Sequence, residues 1–256
     1  MAATKPILSC ENVTVAFDGF KAVDRMDLHL EAGELRFLIG PNGAGKTTML
    51  DVICGKVRPA SGRIRYKGDI DISRKKEFQI AELGIGRKFQ APSIFGGLSV
   101  SENLELAMSQ NRGVFATLRA KMTKEDKSRI HEQLELIGLA ERAGLRAGGL
   151  SHGEKQWLEI GMMLMQEPTV LLLDEPVAGM TDTETEKTGE LLREITKQRT
   201  VVVVEHDMEF VRAFATKVTV MHEGKLLKEG TMQEVQEDAV VAEVYLGQRR
   251  DAHAAS

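Results

Sequence analysis

Cysteines are scarce in this sequence, and long apolar runs are absent from it. Cys10 and Cys54 are the only cysteines among the 256 residues. This scarcity excludes a disulfide framework and a cysteine-based metal-ligand spacing, and it favours a reducing compartment. The longest apolar runs, such as 170–173 and 201–204, have the length of buried strands and not of membrane spans. If the protein works at a membrane, other chains must cross it.

An excess of basic charge is missing as well. The sequence has 34 Lys and Arg residues against 38 Asp and Glu residues, a net charge of −4. Because nucleic-acid-binding proteins are more often basic, we expect no nucleic-acid partner. The segment 1–13 has no apolar core long enough for a secretion signal, so we expect none.

The hydrophobic pattern predicts an α/β protein. Residues 7–39 are predicted to be strands: VTVAF and LHL show the period of half-buried antiparallel strands, and LRFLIG is a more continuous apolar strand. The pattern is helical from about Leu98 to Glu167. Strands then alternate with helices, which favours a parallel sheet. The predicted parts are one domain over 7–246, with a core at 7–90 and 168–246 and a helical subdomain at about 91–167, and a flexible tail at 247–256.

One glycine-rich stretch, GPNGAGKTT, matches the phosphate-binding pattern G-x-x-x-x-G-K-[ST]. It follows a predicted strand and begins a predicted helix, which is the context that the pattern requires. Backbone N–H groups of such a loop surround phosphate oxygens, and the helix dipole adds favourable potential. We expect Lys46 to reach the β- and γ-phosphates and the Thr47 hydroxyl to bind Mg²⁺. The expected nucleotide contacts are Gly40, Pro41, Asn42, Gly43, Ala44, Gly45, Lys46, Thr47 and Thr48.

Polar residues follow three other predicted strands. Asp174 and Glu175 come after VLLL, His206 after VVVVE and Gln90 after GIGRKF. Strand ends of an open α/β sheet meet at the ligand crevice. We expect Asp174 to hold Mg²⁺ in its outer shell and Glu175 to polarise the attacking water. Taken alone, Gln90 also fits an ordinary loop residue and His206 a structural histidine.

A second helix start, LSHGEKQWLEIGMML at 150–164, also has the features of an anion site. Ser151 and Glu154 fit a capping box that precedes an amphipathic helix. A Ser N-cap beside a glycine, here Gly153, can hold a phosphate as easily as it caps. The sequence therefore predicts two phosphate-binding helix starts, more than a hundred residues apart.

Together these motifs resemble the ATP-binding-cassette (ABC) ATPases, in order and spacing, over nearly the whole chain. The five motifs are GPNGAGKTT, Gln90, LSHGEKQ, VLLLDEP and His206. The resemblance implies a P-loop ABC ATPase core with an N-terminal antiparallel β subdomain and an inserted helical subdomain, and ATP and Mg²⁺ as cofactors. The implied catalytic residues are Lys46, Gln90, Glu175 and His206. The implied Mg²⁺ contacts are Thr47, Gln90 and Asp174.

LSHGEKQ resembles the family signature, usually Leu-Ser-Gly-Gly-Gln. It departs at His152 and Glu154 but retains Ser151 and Gly153, the pair that the resemblance places on the γ-phosphate. In this family the signature helix of one subunit closes over the ATP held by the P-loop of another. The second helix start would therefore serve a partner subunit.

The resemblance to the ABC ATPases also concerns two further positions. The family usually stacks an aromatic residue on adenine, and we favour Phe17 over Phe20 for this contact, although either could be core. Thr181 stands where the family usually has an Asp, six residues after the catalytic Glu. Thr181 and Glu184 also fit a capping box, so we assign the neighbouring Asp182 no catalytic role.

A closer resemblance concerns FDGFKAVD, LSHGEKQWLEIGMML, DEPVAGMTD and VYLG. These phrases are similar to importers of the branched-chain-amino-acid type, and most similar to urea importer ATP-binding subunits. We therefore expect an ATPase subunit of an importer of urea or short-chain amides, with a branched-chain amino acid importer as the alternative. The implied partners are a homologous ATPase or a second copy, two membrane permeases and an external solute-binding protein, at the cytoplasmic face of the inner membrane.

Two other classes of P-loop protein fit less well. A soluble ABC ATPase that acts on DNA or ribosomes usually has long coiled coils or two cassettes, and this sequence has one cassette and no sustained heptads. A P-loop kinase would have no use for LSHGEKQ.

Overall fold

The computed structural model describes residues 5–88, 94–109 and 122–244. Gln90 and the predicted tail at 247–256 lie outside these residues. Within the described part, no helix combines the length and the apolar composition needed to cross a membrane.

A mixed sheet forms the centre of the molecule. Its strands, in spatial order, are β10 (Lys225–Gly230), β9 (Lys217–His222), β3 (Leu35–Ile39), β8 (Thr200–Val204), β7 (Val170–Asp174) and β6 (Ile85–Arg87). All neighbours from β9 to β6 pair in parallel, and β10 is antiparallel to β9. Every residue of β3, β7 and β8 is buried, which explains why these strands read as continuous apolar runs rather than as alternating ones.

A second sheet is antiparallel, as the alternating stretches VTVAF and LHL predict. Its order is β2 (Phe20–Leu30), β1 (Leu8–Phe17), β4 (Ser61–Tyr66) and β5 (Ile70–Asp71). Its apolar face packs with one face of the mixed sheet and with helix α1 (Lys46–Ile53) in a shared core. The P-loop therefore lies between the two sheets, because it connects β3 to α1.

The opposite face of the mixed sheet is covered by helices, and its core is continuous with a helical region. The other helices are α2 (Glu77–Glu82), α3 (Val100–Ser109), α4 (Lys124–Leu136), α5 (His152–Leu164), α6 (Asp182–Thr196), α7 (Met208–Phe214) and α8 (Met232–Gln236). Helices α3, α4 and α5 form the helical region predicted at about 91–167, and its boundaries stay a prediction. The predicted fold class is confirmed: an α/β core with an antiparallel sheet and a helical region.

The ends of several helices follow the predicted capping boxes. Ser151 and Glu154 close the box of α5, and Thr181 and Glu184 close that of α6. The sequence from EGTMQEV to YLG predicts one final helix, and this prediction is wrong, because α8 ends at Gln236 and 239–244 form a separate helical turn. Asp238 causes this break, since its carboxylate accepts the N–H groups of the residues two and three positions ahead, as an N-cap does.

Helix α6 is positioned by a close contact at Gly189. A Cβ added there would lie 2.2–2.4 Å from three ring carbons of Phe214, the residue that ends α7. Phe214 in turn packs against Phe210, whose ring contacts Phe37 of β3. The missing side chain of Gly189 therefore lets α6 approach the sheet, and α6 contributes its N-terminus to the site described below.

We expect Gly189→Ala to lower the free energy of unfolding by about 1–3 kcal/mol, because overpacking against Phe214 outweighs the better helix propensity of alanine. Equilibrium denaturant unfolding measures the change. The exposed neighbour Glu190 supplies the control, since Glu190→Ala should change stability by about 0.5 kcal/mol or less. Adding Phe214→Leu should recover part of the loss, and full stability of Gly189→Ala alone would contradict the contact.

Candidate functional site

The ends of three parallel strands lie side by side at one edge of the mixed sheet. Leu38 of β3 pairs with Val204 of β8, and Val204 pairs with Asp174 of β7. The chain segments that follow these strands are the P-loop, Glu175 and the pair Glu205 and His206. The sequence prediction that these strand ends meet is confirmed.

The P-loop has the backbone conformation that its glycines permit. Gly40, Gly43 and Gly45 have φ angles of 148°, 80° and 97°. A Cβ on Gly40 would lie 2.1 Å from the carbonyl oxygen of Met221, and one on Gly45 would lie 2.3 Å from a backbone oxygen of β2. A side chain at either position would therefore displace the loop, since both the left-handed backbone and the close neighbours exclude it.

Lys46 is the first residue of α1 and is buried. Its Nζ donates to the carbonyl oxygens of Gly40 and Pro41 at 2.7 and 3.0 Å. Burial lowers the pKa of Lys46, and the nearby carboxylates of Glu175 and Asp174 partly offset this effect. The ammonium group thus lies inside the loop and close to both strand-end acids.

Asp174 and Thr47 form an oxygen-rich pair that fits Mg²⁺. The Thr47 hydroxyl donates to Asp174 Oδ1 at 3.4 Å. Asp174 Oδ2 is buried and has no hydrogen-bond partner within the described residues, although Arg87 Nη2 lies 3.7 Å away. Mg²⁺ prefers such oxygen ligands and usually takes only one or two from protein, with water and phosphate completing its shell. In keeping with this, the described residues contain no cluster of three or more acids, histidines or cysteines that would hold a metal.

The guanidinium of Arg87 is the positive charge beside Asp174. Arg87 ends β6, and its side chain is 5% exposed. One terminal nitrogen of its guanidinium bonds Asp51 of α1, and the other faces Asp174. Burial raises the pKa of Asp174, and the Thr47 hydrogen bond and the Arg87 charge act in the opposite direction. The guanidinium therefore favours the ionised carboxylate that a cation would need.

Glu175 has a left-handed backbone, with φ of 48°. For a residue with a Cβ this conformation is uncommon and costs energy, and it often marks functional sites. Its N–H donates to Val204 O at 2.9 Å, which fixes the turn beside β8. The carboxylate lies 3.6 Å from His206 Nδ1, and both side chains are substantially exposed. Glu175 is thus aimed from the strand end toward the P-loop cavity.

An open cavity of about 500 Å³ adjoins the P-loop and Glu175. It is lined by P-loop residues from Asn42 to Thr48, by Glu175 and by the aromatic residues Phe17 and Phe20. The two phenylalanines face each other across the β1–β2 hairpin and are 47% and 68% exposed. The structure therefore keeps Phe17 as a candidate for stacking on a base and does not exclude Phe20.

Ser151 and Gly153 lie apart from this cavity and do not line it. Ser151 caps α5, and the next residue, His152, approaches the carbonyl oxygen of Ala178 with its Nε2 at 3.0 Å. The start of α5 is thus joined to the loop that follows Glu175. Within one chain, this helix start therefore does not contribute to the lining of the P-loop cavity.

Sequence reasoning missed Glu205, which joins two of the strand-end loops. Its carboxylate is 1% exposed and accepts the N–H of Val177 at 3.3 Å and that of His206 at 3.1 Å. It thereby fixes the turn after Glu175 to the turn that carries His206. The one available signal was a glutamate directly after four valines, where a charged residue must be buried.

The fold and the site together define a P-loop ATPase. The sequence profile of the ABC transporter family matches residues 23–178. The high-affinity branched-chain amino acid transport ATP-binding protein LivG of Escherichia coli K12 is 34% identical over 254 residues, 96% of this chain and 99% of that protein. The chain therefore belongs to the ABC transporter family, and it is an ABC ATPase.

Solved structures lead to the same family. The ADP conformation of the ATP-binding cassette MJ1267 has a TM-score of 0.82 and 29% identity, covering 95% of this chain and all of that one. A dimeric post-hydrolysis state of the cassette MJ0796, bound to ADP and phosphate, has a TM-score of 0.73 and 26% identity, covering 88% of this chain and 98% of that one. ATP and ADP binding, dimers and association with membrane permeases are general in this family.

The pKa of Glu205 gives a pH-dependent prediction. Burial raises this pKa, and the N–H donors offset the effect only in part. The folded chain then holds the proton to a higher pH than the unfolded chain, so the parent loses stability as the pH rises above about 4.3, the ordinary glutamate value. Glu205→Gln cannot show this loss. Its free energy of unfolding, relative to the parent, should increase between about pH 4 and pH 8.

Denaturant unfolding at a series of pH values measures this difference. Glu209→Gln changes an exposed glutamate four residues away and should leave the pH dependence of the parent unaltered. If the curves of the parent and Glu205→Gln run parallel, the buried carboxylate does not titrate differently in the folded chain.

Proposed function

We propose that this chain is the ATP-hydrolysing subunit of an ABC importer of the branched-chain amino acid type. The observation that carries the proposal is the position of Glu175 on the P-loop cavity, with Asp174 bonded to Thr47 and His206 within 3.6 Å of Glu175, in a chain that is similar over its length to LivG. The expectation of urea as solute is not supported by the relatives. They favour the alternative, a branched-chain amino acid importer.

In this proposal the P-loop side of the site binds the triphosphate. The loop N–H groups and Lys46 hold the phosphates, and Thr47 and Asp174 hold Mg²⁺. When bound, the metal would neutralise charge on the β- and γ-phosphates. Phe17 stacks on the base from the open side of the cavity. These residues bind and orient ATP, whereas the acid–base step needs a further group.

Glu175 is proposed to orient the attacking water and to take up its proton. Its left-handed backbone directs the carboxylate into the cavity, and His206 lies within 3.6 Å of it. His206 would hold this carboxylate and contact the γ-phosphate side. The role expected for Gln90 stays a prediction, since that residue lies outside the described part of the chain.

The second helix start is proposed to complete the ATP site of a facing subunit. Ser151 and the N–H of Gly153 would bind the γ-phosphate held by the partner's P-loop. Neither residue lines the P-loop cavity of its own chain, which supports this arrangement. ADP lacks the γ-phosphate and should loosen the contact, and such differential affinity is what lets a ligand shift a conformational equilibrium.

The partners follow from the proposed transport role. Two membrane permeases would form the path for the solute, an external solute-binding protein would deliver it, and the facing ATPase would be a homologue or a second copy. The chain would lie at the cytoplasmic face of the inner membrane, held there by the permeases. Contact with them is proposed through the helical region and the segment around Gln90.

Glu175→Gln should retain ATP binding and lose hydrolysis by about 100-fold or more, because general-base assistance typically supplies at least this factor. Steady-state phosphate release and equilibrium binding of ATP measure the two effects separately. The exposed α6 residue Glu186 supplies the control, and Glu186→Gln should hydrolyse ATP normally. Near-normal turnover of Glu175→Gln would remove Glu175 from the proposed role.

Solute uptake tests the transport assignment. Disruption of the gene should abolish uptake of labelled leucine at low concentration and spare that of labelled urea. The parent chain should restore leucine uptake, whereas Glu175→Gln should not, because uptake needs the hydrolysis step. Loss of urea uptake with retention of leucine uptake would reverse the assignment of solute while leaving the ATPase role in place.

A further inference from the structure

A carboxylate of the same chain lies on the helix start that contains Ser151 and Gly153. The Ser151 hydroxyl donates to Glu184 Oε1 at 2.9 Å. The N–H of Gly153 also faces this carboxylate and contributes to its lowered pKa. A Cβ added to Gly153 would lie 2.6 Å from both Cδ and Oε1 of Glu184. The carboxylate therefore covers Gly153 and accepts from Ser151, at the two residues that the proposed function gives to a phosphate.

The bond to Ser151 is additional to the ordinary role of Glu184 in its own helix. Glu184 closes the capping box of α6 with its other oxygen, Oε2, which accepts from the N–H and the hydroxyl of Thr181, each at 3.1 Å. The box of α8 is built in the same way by Thr231 and Glu234, with a single carboxylate oxygen. Capping therefore explains Oε2 and leaves the contact of Oε1 with α5 to be explained.

The carboxylate is ionised in this position. Its pKa is lowered first by the N–H of Thr181, then by the hydroxyl of Ser151 and also by the N–H of Gly153. An anionic group thus stands where a second anion would have to bind. The Ser151 hydroxyl and the Gly153 N–H carry one hydrogen each, so neither can donate fully to Glu184 and to a phosphate together. A phosphate bound to Ser151 and Gly153 would also lie next to the Glu184 carboxylate, and the two negative charges would repel each other.

We infer that Glu184 is an internal placeholder, whose carboxylate must leave Ser151 and Gly153 before these residues bind the γ-phosphate of a facing subunit. This inference rests on the proposed shared site. It makes Glu184 a positioning residue, which keeps the two donors aligned in the separate chain and opposes closure until ATP on the facing subunit displaces it.

The placeholder also connects the helix start to the catalytic loop. Glu184 stands at the beginning of α6, and His152 contacts Ala178 in the loop between Glu175 and α6. Both contacts join α5 to the segment that follows Glu175 within one chain. Release of Glu184 would therefore loosen this segment at the moment when the facing nucleotide arrives, which couples closure to the position of Glu175.

Glu184→Asp separates the placeholder from the cap. In the box of α4, Asp126 in the equivalent position accepts the N–H of Thr123 at 3.0 Å, so an aspartate can close such a box. At position 184 the shorter side chain should keep the cap but fall one methylene short of Ser151. Glu234→Asp makes the same change in the matched box of α8 and is the control for any effect on capping.

The experiment measures dimer dissociation constants at saturating ATP and Mg²⁺ by sedimentation, with every chain carrying Glu175→Gln so that ATP stays bound. Adding Glu184→Asp should lower the dissociation constant about tenfold or more, because a charge-assisted hydrogen bond no longer has to be broken. Glu234→Asp should leave it unchanged, and so should Glu184→Asp when ADP replaces ATP. ATP affinity of the monomer should be the same in all chains.

A third variant, Ser151→Asp, tests the shared ATP site separately from the placeholder role of Glu184. It still caps α5 but places a negative charge at the phosphate position, so it should abolish ATP-driven association. If Ser151→Asp associates like the parent, the shared site is wrong, and the placeholder role of Glu184, which depends on that site, is wrong as well. If it abolishes association while Glu184→Asp does not strengthen it, only the placeholder is overturned. If neither the parent nor Glu184→Asp associates, the placeholder role is also overturned, since release of the Glu184 carboxylate should promote association of the two subunits.

Discussion

The register of three buried parallel strands is the constraint on which the site depends. Backbone hydrogen bonds place Leu38, Val204 and Asp174 at the same level across β3, β8 and β7. The backbone hydrogen bonds between neighbouring strands hold this register. The P-loop, Glu175 and His206 then leave the sheet at one edge, although more than 150 residues separate the first from the last.

Buried charge behind this edge holds the reacting groups in place. Arg87 joins Asp51 of α1 to Asp174, and Glu205 joins the turn after Glu175 to the turn of His206. Lys88 is a third such group, because its ammonium lies 3.6 Å from Glu159 of α5. Removing one partner of a buried charge pair is costly. These contacts therefore make the geometry of the edge rigid, and Lys88 extends that rigidity to the helical region.

The helix starts of the chain are used in two different ways. At α1 the glycines leave the N–H groups open to a ligand, and Lys46 lies inside the loop. At α5 the N–H groups of Ser151 and Glu154 are bonded within the capping box, and the Ser151 hydroxyl donates to Glu184. The first helix start is built for binding within the chain. The second is satisfied internally, which suits a site that acts only when another subunit supplies the anion.

The sequence by itself determined the elements whose interactions are local. Capping boxes at Ser151 and Thr181 were readable because their partners are three residues apart, and the P-loop was readable because its glycines and lysine are contiguous. Strand ends were readable because buried parallel strands are continuously apolar. The resemblance to the ABC ATPases added the shared site and the importer class.

Tertiary structure alone decided the contacts between distant residues. Glu184 reaches Ser151 across 33 positions, and Arg87 reaches Asp51 across 36, distances at which no sequence periodicity acts. The break before 239 depended on whether Asp238 would cap a new turn or remain inside a helix. Burial and chain topology, rather than local preference, decide which charges meet.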